Sequence, residues 1–343
     1  MQALAIKYRP KEFKDVTEQE SIKVILQQQL ESNQIQHCYL FVGGAGTGKT
    51  TCARIFANEI NKGQGSPIEL DAASNNSVDD MRELIQQAQT KSLDSEYKVF
   101  IIDECHMITV QGWNAILKLI EEPPAKAIFI FATTDPQKIP KTILSRVQRY
   151  DFQRISQIGI VDRLTLIIQL EKLGGSQIQA KTDALEYIAK IADGGMRDAI
   201  TLLDKCLAFS TELTIENVVK ALGTVDYQTM LDLTNAIINH EEKDVIATIE
   251  SIHSSGKDVK RFIKQYIHFL LDVEKYKIGC EWKYLNLPRL KQYETWLNKL
   301  EDADYDVVDS LLDSMMELNS QIKYSDTAKL DVEARLMIFV AES

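Results

Sequence analysis

Between Gly43 and Thr50 the chain reads GGAGTGKT, directly after the apolar run YLFVG and directly before the helical pattern ARIFANEI. A string of the form GxxxxGK[ST] demands a loop that leaves a buried strand and enters the N-terminus of a helix. Its glycines let backbone N–H groups wrap phosphates, Lys49 reaches the terminal phosphates, and the Thr50 hydroxyl can ligate Mg²⁺. Gly43, Gly44, Ala45, Gly46, Thr47, Gly48, Lys49, Thr50 and Thr51 are therefore candidate nucleotide-binding residues. A plain glycine-rich turn is the competing reading, and the strand–loop–helix context weighs against it.

The surrounding pattern agrees with that demand. YLFVG (39–43), PIELD (67–71), KVFIID (98–103), AIFIFATT (127–134) and RYDF (149–152) read as apolar strands separated by helical stretches such as DDMRELIQQAQ. Strands apolar on both faces and alternating with helices predict an α/β domain with a parallel sheet. After Phe152 the strand signal stops, and short amphipathic segments follow, punctuated by Gly174-Gly175, Gly194-Gly195 and Gly223. Beyond Thr224 come longer helical patterns broken at Gly256-Lys257 and Leu287-Pro288. The expected organisation is an α/β domain over 1–154, a small helical domain over 155–223 and a second helical domain over 224–343. A chain of 343 residues exceeds what one core usually supports, which fits several domains.

Composition excludes several classes. The net charge of -11 argues against a globally basic nucleic-acid surface, although a local basic face remains open. Five cysteines without a CxxC pair indicate neither a disulfide framework nor a zinc knuckle. The most apolar stretch, IGIVDRLTLIIQL, is interrupted by Asp162 and Arg163 and is too short to span a bilayer. The first residues, MQALAIKYRP, lack the features of a signal peptide, so no membrane association and a cytoplasmic location are expected.

Two further strings carry chemistry. KVFIIDECH ends a strand in adjacent carboxylates: Asp103 can hold Mg²⁺ through water, and Glu104 can polarise a water for attack on a γ-phosphate. This water-directed pairing favours hydrolysis over transfer to an acceptor. His106 reads as a packing or capping histidine. IFATTDP presents Thr133 and Thr134 at the next strand end, where a hydroxyl could contact the water or the γ-phosphate, or could simply favour a strand. In ILSRVQRYDF and just beyond it, Arg146, Arg149 and Arg154 read on local grounds as surface arginines flanking a strand.

Taken in order, YRPKEF, the phosphate loop, ELDAAS, IIDECHMIT, LIEEPP, FATTDPQKIP, ILSR and GGMRDA resemble the gamma/tau ATPase family of the bacterial DNA polymerase III clamp loader. The resemblance implies an AAA+ P-loop domain, a helical lid and an all-α collar that holds a ring-like heteropentamer together. It implies ATP and Mg²⁺ as cofactors, with Tyr8, Arg9, Pro10 and Val16 around the adenine. It puts Thr134 at the sensor of the γ-phosphate and Arg197 at a second sensor acting in its own subunit. Arg146 would act in trans as an arginine finger on a neighbour's ATP. The implied work is ATP-driven opening of a sliding clamp and its loading onto primer–template DNA, with other clamp-loader subunits, the clamp and DNA as partners. Arg149 and Arg154 keep the flanking reading.

The chain also departs from the family pattern. NEINKGQGSPIEL joins two elements where a four-cysteine zinc module usually sits, so no zinc is expected. After DAAS stand Asn75, Asn76 and Ser77 instead of basic residues; they remain candidate contacts to the DNA backbone. Val147 replaces a cysteine, and the sequence ends at Ser343 without a tethering extension, so polymerase and helicase coupling is not carried over. Two other readings stay open: an AAA+ branch-migration or recombination factor, and a nucleotide-gated scaffold that turns ATP over negligibly.

Overall fold

The structure, a computed structural model, describes residues 2–92, 94–222, 227–256, 258–287, 291–322 and 325–342. The boundary expected at Gly223 and Thr224 and the breaks at Lys257 and Pro288 lie outside the described residues, as does Ser343. By residue contacts the chain divides into two units, Met1–Gln177 with Ile188–Asp204, and Ile178–Tyr187 with Lys205–Ser343.

The elements run α1 (Leu4–Lys7), α2 (Glu20–Glu31), β1 (Cys38–Val42), α3 (Lys49–Ile60), β2 (Ile68–Asp71), α4 (Val78–Gln89), β3 (Lys98–Asp103), α5 (Val110–Glu121), β4 (Ala127–Thr133), α6 (Lys141–Leu144), β5 (Gln148–Asp151) and α7 (Gln157–Leu173). They continue with β6 (Gln179–Ala180), α8 (Thr182–Ile191), α9 (Met196–Phe209), β7 (Glu212–Leu213), α10 (Ile215–Leu222), α11 (Tyr227–Ile238) and α12 (Glu242–Ser254). Last come α13 (Val259–Lys277), α14 (Lys291–Leu297), α15 (Asp302–Ile322) and α16 (Ala328–Glu342).

In the first unit five strands form a sheet of order β2-β3-β4-β1-β5, with every pairing parallel. β1 and β4 are buried along their whole length, and β3 at every position but its ends, because both faces are covered. Leu40, Phe100, Ile102, Phe129 and Phe131 pack with Met81 and Trp113 on one face. Tyr39, Phe41, Val99, Ile101 and Ile130 pack with Leu26 and Phe56 on the other. Period-two alternation thus supplies both cores, which is why the sequence reads as continuous apolar runs.

The outer strands differ from that expectation. In β2 burial alternates, and in β5 only Tyr150 is buried, so neither is apolar on both faces. The physical reason is position: each lies at a sheet edge with a paired neighbour on one side. Strand structure also recurs after Phe152, since β6 and β7 form a short parallel pair in the second unit. Two-residue strands carry too few side chains to leave a periodic signal.

Local sequence sets the helix starts that matter here. Ser77 caps α4 in a capping box with Asp80, Thr109 accepts from Gly112 N at 3.1 Å ahead of α5, and Ser156 accepts from Gly159 N at 3.0 Å ahead of α7. Among the described residues no helix is long and apolar enough to cross a membrane.

The second unit has its own core, built where α13 and α15 lie side by side. Phe262, Tyr266 and Phe269 of α13 and Val308, Leu311 and Met315 of α15 are all buried, joined by Val332 and Leu336 of α16. Three polar side-chain groups are enclosed with them. The Thr234 and Tyr266 hydroxyls satisfy each other at 2.8 Å. Asp272, 0% exposed, accepts from Leu287 N at 2.8 Å, from Asn286 at 3.3 Å and from Lys275 at 3.3 Å.

Burial is the largest influence on Asp272 and holds its carboxyl above the ordinary value of 3.8 despite those donors. With the folded value raised, the stabilisation is fully present below 3.8 and is lost as pH rises through the folded value. Asp272→Asn is therefore expected to flatten the fall in second-unit stability above pH 3.8, measured as denaturant midpoints across pH; an unchanged slope would contradict this.

Candidate active site

The phosphate loop leaves β1 where the sheet order reverses direction, beside the carboxyl end of β4, as ligand crevices in open parallel sheets generally do. Its ends are fixed by main-chain bonds, Gly43 N to Thr133 O at 3.2 Å and Cys52 N to Gly48 O at 2.8 Å. Gly46 has φ 71°, and a Cβ there would sit 3.0 Å from Gly195 Cα and 3.3 Å from Arg197 N. Only glycine allows that approach of loop to helix start. Met196 N completes the contact by donating to Gly46 O at 3.0 Å.

Lys49 is buried within the loop, its ammonium donating to Gly43 O at 2.9 Å and Gly44 O at 2.8 Å. Burial lowers its pKa below that of an ordinary lysine, while Glu104 and Asp103 oppose the shift. Thr50 Oγ1 donates to Asp103 Oδ2 at 2.7 Å, so a hydroxyl and a carboxylate share one point at the start of α3. Two hard oxygen donors at that point suit Mg²⁺, which commonly takes few protein ligands and completes its shell with water and phosphate.

Glu104 follows Asp103 in the left-handed region, φ 47° and ψ 41°, a conformation that L side chains rarely adopt. Its carboxylate is held from two sides. Thr134 Oγ1 donates to Glu104 Oε2 at 3.2 Å, and His106 Nδ1 lies 3.3 Å from the same oxygen. His106 Nδ1 also lies 3.1 Å from Thr133 Oγ1, which receives a bond from Asp135 N at 3.0 Å. Thr133 thus orders the turn, and Thr134 touches the glutamate.

Lys49, Thr50, Asp103 and Glu104 open onto a cavity of about 290 Å³ lined by residues 45–51, Asp103 and Glu104, and also by Tyr8, Arg9, Pro10, Val16 and Arg197, while Thr133, Thr134 and His106 stand behind Glu104 outside that lining. Gly43 and Gly44 lie at the root of the loop, outside that lining. The segment carrying Tyr8 is fastened to α7 and α9: Tyr8 OH donates to Glu171 at 2.7 Å, Lys7 pairs with Glu171 at 2.6 Å, and Leu4 N donates to Asp204 at 3.1 Å.

Other residues singled out in the sequence stand elsewhere. Arg146 lies beyond α6, away from the cavity lining, paired with Glu121 at 2.8 Å and donating to Thr142 O at 2.7 Å. Arg149 pairs with Asp151, and Arg154 with Asp193. Asn75 Nδ2 donates to Asp71 O at 3.0 Å, Asn76 O accepts from Thr109 N at 3.3 Å, and the Ser77 hydroxyl is engaged with Asp80. Among the described residues no group of three or more His, Cys, Asp or Glu could hold a metal ion.

Sequence reading missed three contributors. Arg163 lines the cavity from α7 and donates to Tyr8 O at 2.8 Å, half-buried enough that its pKa is lowered by desolvation. The only trace of it in the sequence is a charge inside an apolar helical run. Thr17 also lines the cavity, and His106 braces Glu104 where a packing or capping role is the natural reading.

The strand order, the loop and the acid pair at the β3 end together define a P-loop ATPase domain of the AAA+ type, followed by helical lid and all-helical regions. The fold is that of solved Thermotoga maritima RuvB, described as a Holliday junction branch migration motor. That match has a TM-score of 0.52 and 21% identity, over 69% of this chain and 80% of that one. A single-residue variant of the same protein gives a TM-score of 0.52 at 20% identity, over 69% and 80% of the two chains. At such identity the likeness is one of fold.

Residues 60–156 match the family described as DNA polymerase III, delta subunit; residues 160–212 match the DNA polymerase III clamp loader subunit, ATPase lid domain; residues 213–303 match DNA polymerase III subunits gamma and tau domain III. DNA polymerase III subunit tau of Bacillus subtilis is 36% identical over 98% of this chain and 62% of its own length. Subunit tau/gamma of Haemophilus influenzae is 36% identical over 75% of this chain and 40% of its own length. The chain therefore spans less than two thirds of these relatives. It belongs to the gamma/tau family of DNA polymerase III subunits.

Because Arg163 holds the Tyr8 carbonyl through a charged donor, Arg163→Met is expected to weaken nucleotide binding about tenfold, the scale of such a bond. Titration with a fluorescent ATP analogue measures it; an unchanged dissociation constant would show that the contact does not order the cavity wall.

Proposed function

We propose that this chain is the ATP-hydrolysing subunit of a clamp loader, using ATP to open a sliding clamp and load it onto primer–template DNA. The observation that carries this reading is the convergence of Lys49, Thr50, Asp103 and Glu104 on a single cavity, with Thr134 bonded to Glu104, in a chain of the gamma/tau family. The proposed partners are other subunits of a heteropentamer, the clamp and primed DNA, with the work done in the cytoplasm. Its proposed organisation is an ATPase domain over 1–154, a lid over 155–223 and a collar over 224–343.

The proposed chemistry follows from the residues. Backbone N–H groups of residues 43–51 grip the phosphates, and Lys49 neutralises charge between the terminal ones. Thr50 and Asp103 would hold Mg²⁺, which supplies Lewis-acid neutralisation of phosphate charge when bound. Glu104 orients the attacking water and accepts its proton, with Thr134 and His106 keeping its carboxylate aimed. Tyr8, Arg9, Pro10 and Val16 enclose the base, and Arg197 reaches the phosphates from the start of α9 in the same chain.

Arg146 is proposed to act on the nucleotide of a neighbouring subunit, which accords with its exposed position away from its own cavity. Asn75, Asn76 and Ser77 are proposed contacts to the DNA backbone at the head of α4, where a helix N-terminus favours phosphate. Zinc plays no part in the proposal.

In the reconstituted assembly, Glu104→Gln is expected to lower kcat about 10²–10⁴-fold while nucleotide still binds. Arg146→Ala is expected to leave binding intact and to lower kcat about 10³-fold or more, only when subunits are assembled. Steady-state ATPase with clamp and primed DNA measures both. Native turnover stimulated by junction DNA and indifferent to clamp would select the branch-migration reading, and negligible native turnover the scaffold.

A further inference from the structure

The phosphate loop is joined to the start of the lid helices by a closed circuit of polar contacts, and one side chain holds it together. Gln19, 8% exposed, donates from Nε2 to Gln153 O at 2.7 Å and accepts from Gln153 N at 3.1 Å. The same Nε2 reaches Thr47 O at 3.5 Å. Two residues beyond Gln153, Ile155 N donates to Gly194 O at 3.1 Å. The turn at Gly194-Gly195 leads into Met196, whose N donates to Gly46 O at 3.0 Å. The path thus leaves the phosphate loop at Thr47 and returns to it at Gly46. Every link other than Gln19 is main chain to main chain.

Backbone conformation marks the same spot. Glu18 and Gln19 are both left-handed, φ 57° and 59°, which for L residues persists only where the surroundings dictate it. The Glu18 carboxylate accepts from Ser156 N at 3.2 Å and from the Ser156 hydroxyl, at the N-terminus of α7 where the helix dipole favours an anion. Consecutive residues therefore hold the linker and cap the helix it enters.

The carbonyls in the circuit are not arbitrary. Gly46 O shares a rigid trans peptide unit with Thr47 N, and Thr47 O shares one with Gly48 N. In such a unit N–H and C=O point opposite ways, so turning either N–H toward a phosphate turns its carbonyl within the circuit. Reorientation at the nucleotide must then be felt at Gln153 and at Met196, next to Arg197.

The geometry points to Gln19 as a positioning residue that makes the phosphate loop, the 153–156 linker and the turn before Arg197 respond to nucleotide as one. It contacts no reacting atom. The inference rests on the ATPase reading above and adds how occupancy of that site reaches the lid helices.

Hydrogen exchange of the full chain, with and without Mg²⁺ and a non-hydrolysable ATP analogue, tests it. In the native chain the loop amides and those of Ile155 and Met196 should all gain protection on binding. Gln19→Ala, and the similarly sized Gln19→Glu that cannot donate, should keep loop protection and a dissociation constant within about threefold, yet lose the change at Ile155 and Met196. In the assembled complex both should lower kcat about tenfold at unchanged KM. Native-like nucleotide-dependent protection at Ile155 and Met196 in Gln19→Glu, or native kcat in either variant, overturns the proposal. A native chain that binds the analogue but protects the loop alone overturns it while leaving the ATPase reading standing; one that binds no nucleotide overturns both.

Discussion

Strand β1 is paired in parallel with β4 on one side and β5 on the other and is buried on both faces, so its carboxyl end has no positional freedom. The loop that follows inherits that rigidity. Phe152 N donates to Val42 O at 2.7 Å and Gly43 N to Thr133 O at 3.2 Å, which brings the ends of three strands together at the loop's root. From there Lys49 has one place to go, between the Gly43 and Gly44 carbonyls. Its desolvation disfavours the ammonium, and the nearby carboxylates of Glu104 and Asp103 counter that penalty. Position, charge and donor geometry at the site are consequences of one buried strand.

The adjacent acids Asp103 and Glu104 point to different partners. Asp103 closes β3 and is committed to the Thr50 hydroxyl and to Glu104 N at 3.0 Å. Glu104, turned out of the strand direction by its left-handed backbone, projects instead toward Thr134 and His106. A change of backbone handedness between adjacent residues separates a carboxylate bonded to the Thr50 hydroxyl from one turned toward Thr134 and His106. Such strain is tolerable because the flanking strand and the turn at Cys105–Met107 fix the chain on either side.

Much of this was legible in the sequence for physical reasons that can be named. The three central strands announce themselves because covering both faces makes their interior positions continuously apolar. The phosphate loop is legible because its backbone path admits few residues at Gly46 and Gly48, the latter at φ 102°. The edge strands β2 and β5 read too apolar, since one-sided pairing relaxes the requirement. Arg163, Gln19 and Thr17 were invisible because each matters through a partner more than a hundred residues away, or through a cavity wall that no local pattern encodes. His106 sat beside the acid pair and still gave no signal, because its meaning depends on where β4 ends.

The ion pair between Arg146 and Glu121 has sides that are 38% and 39% exposed. Pairs so open to water are worth roughly 0–1 kcal/mol, and ions in solution screen them further. The guanidinium, which also donates to Thr142 O at 2.7 Å and to the Ser145 hydroxyl at 3.0 Å, is thereby kept near one orientation. An anion arriving from outside need only outcompete one weak carboxylate and two exposed hydrogen bonds, so the tether behaves as a parking place whose ionic hold loosens as salt rises.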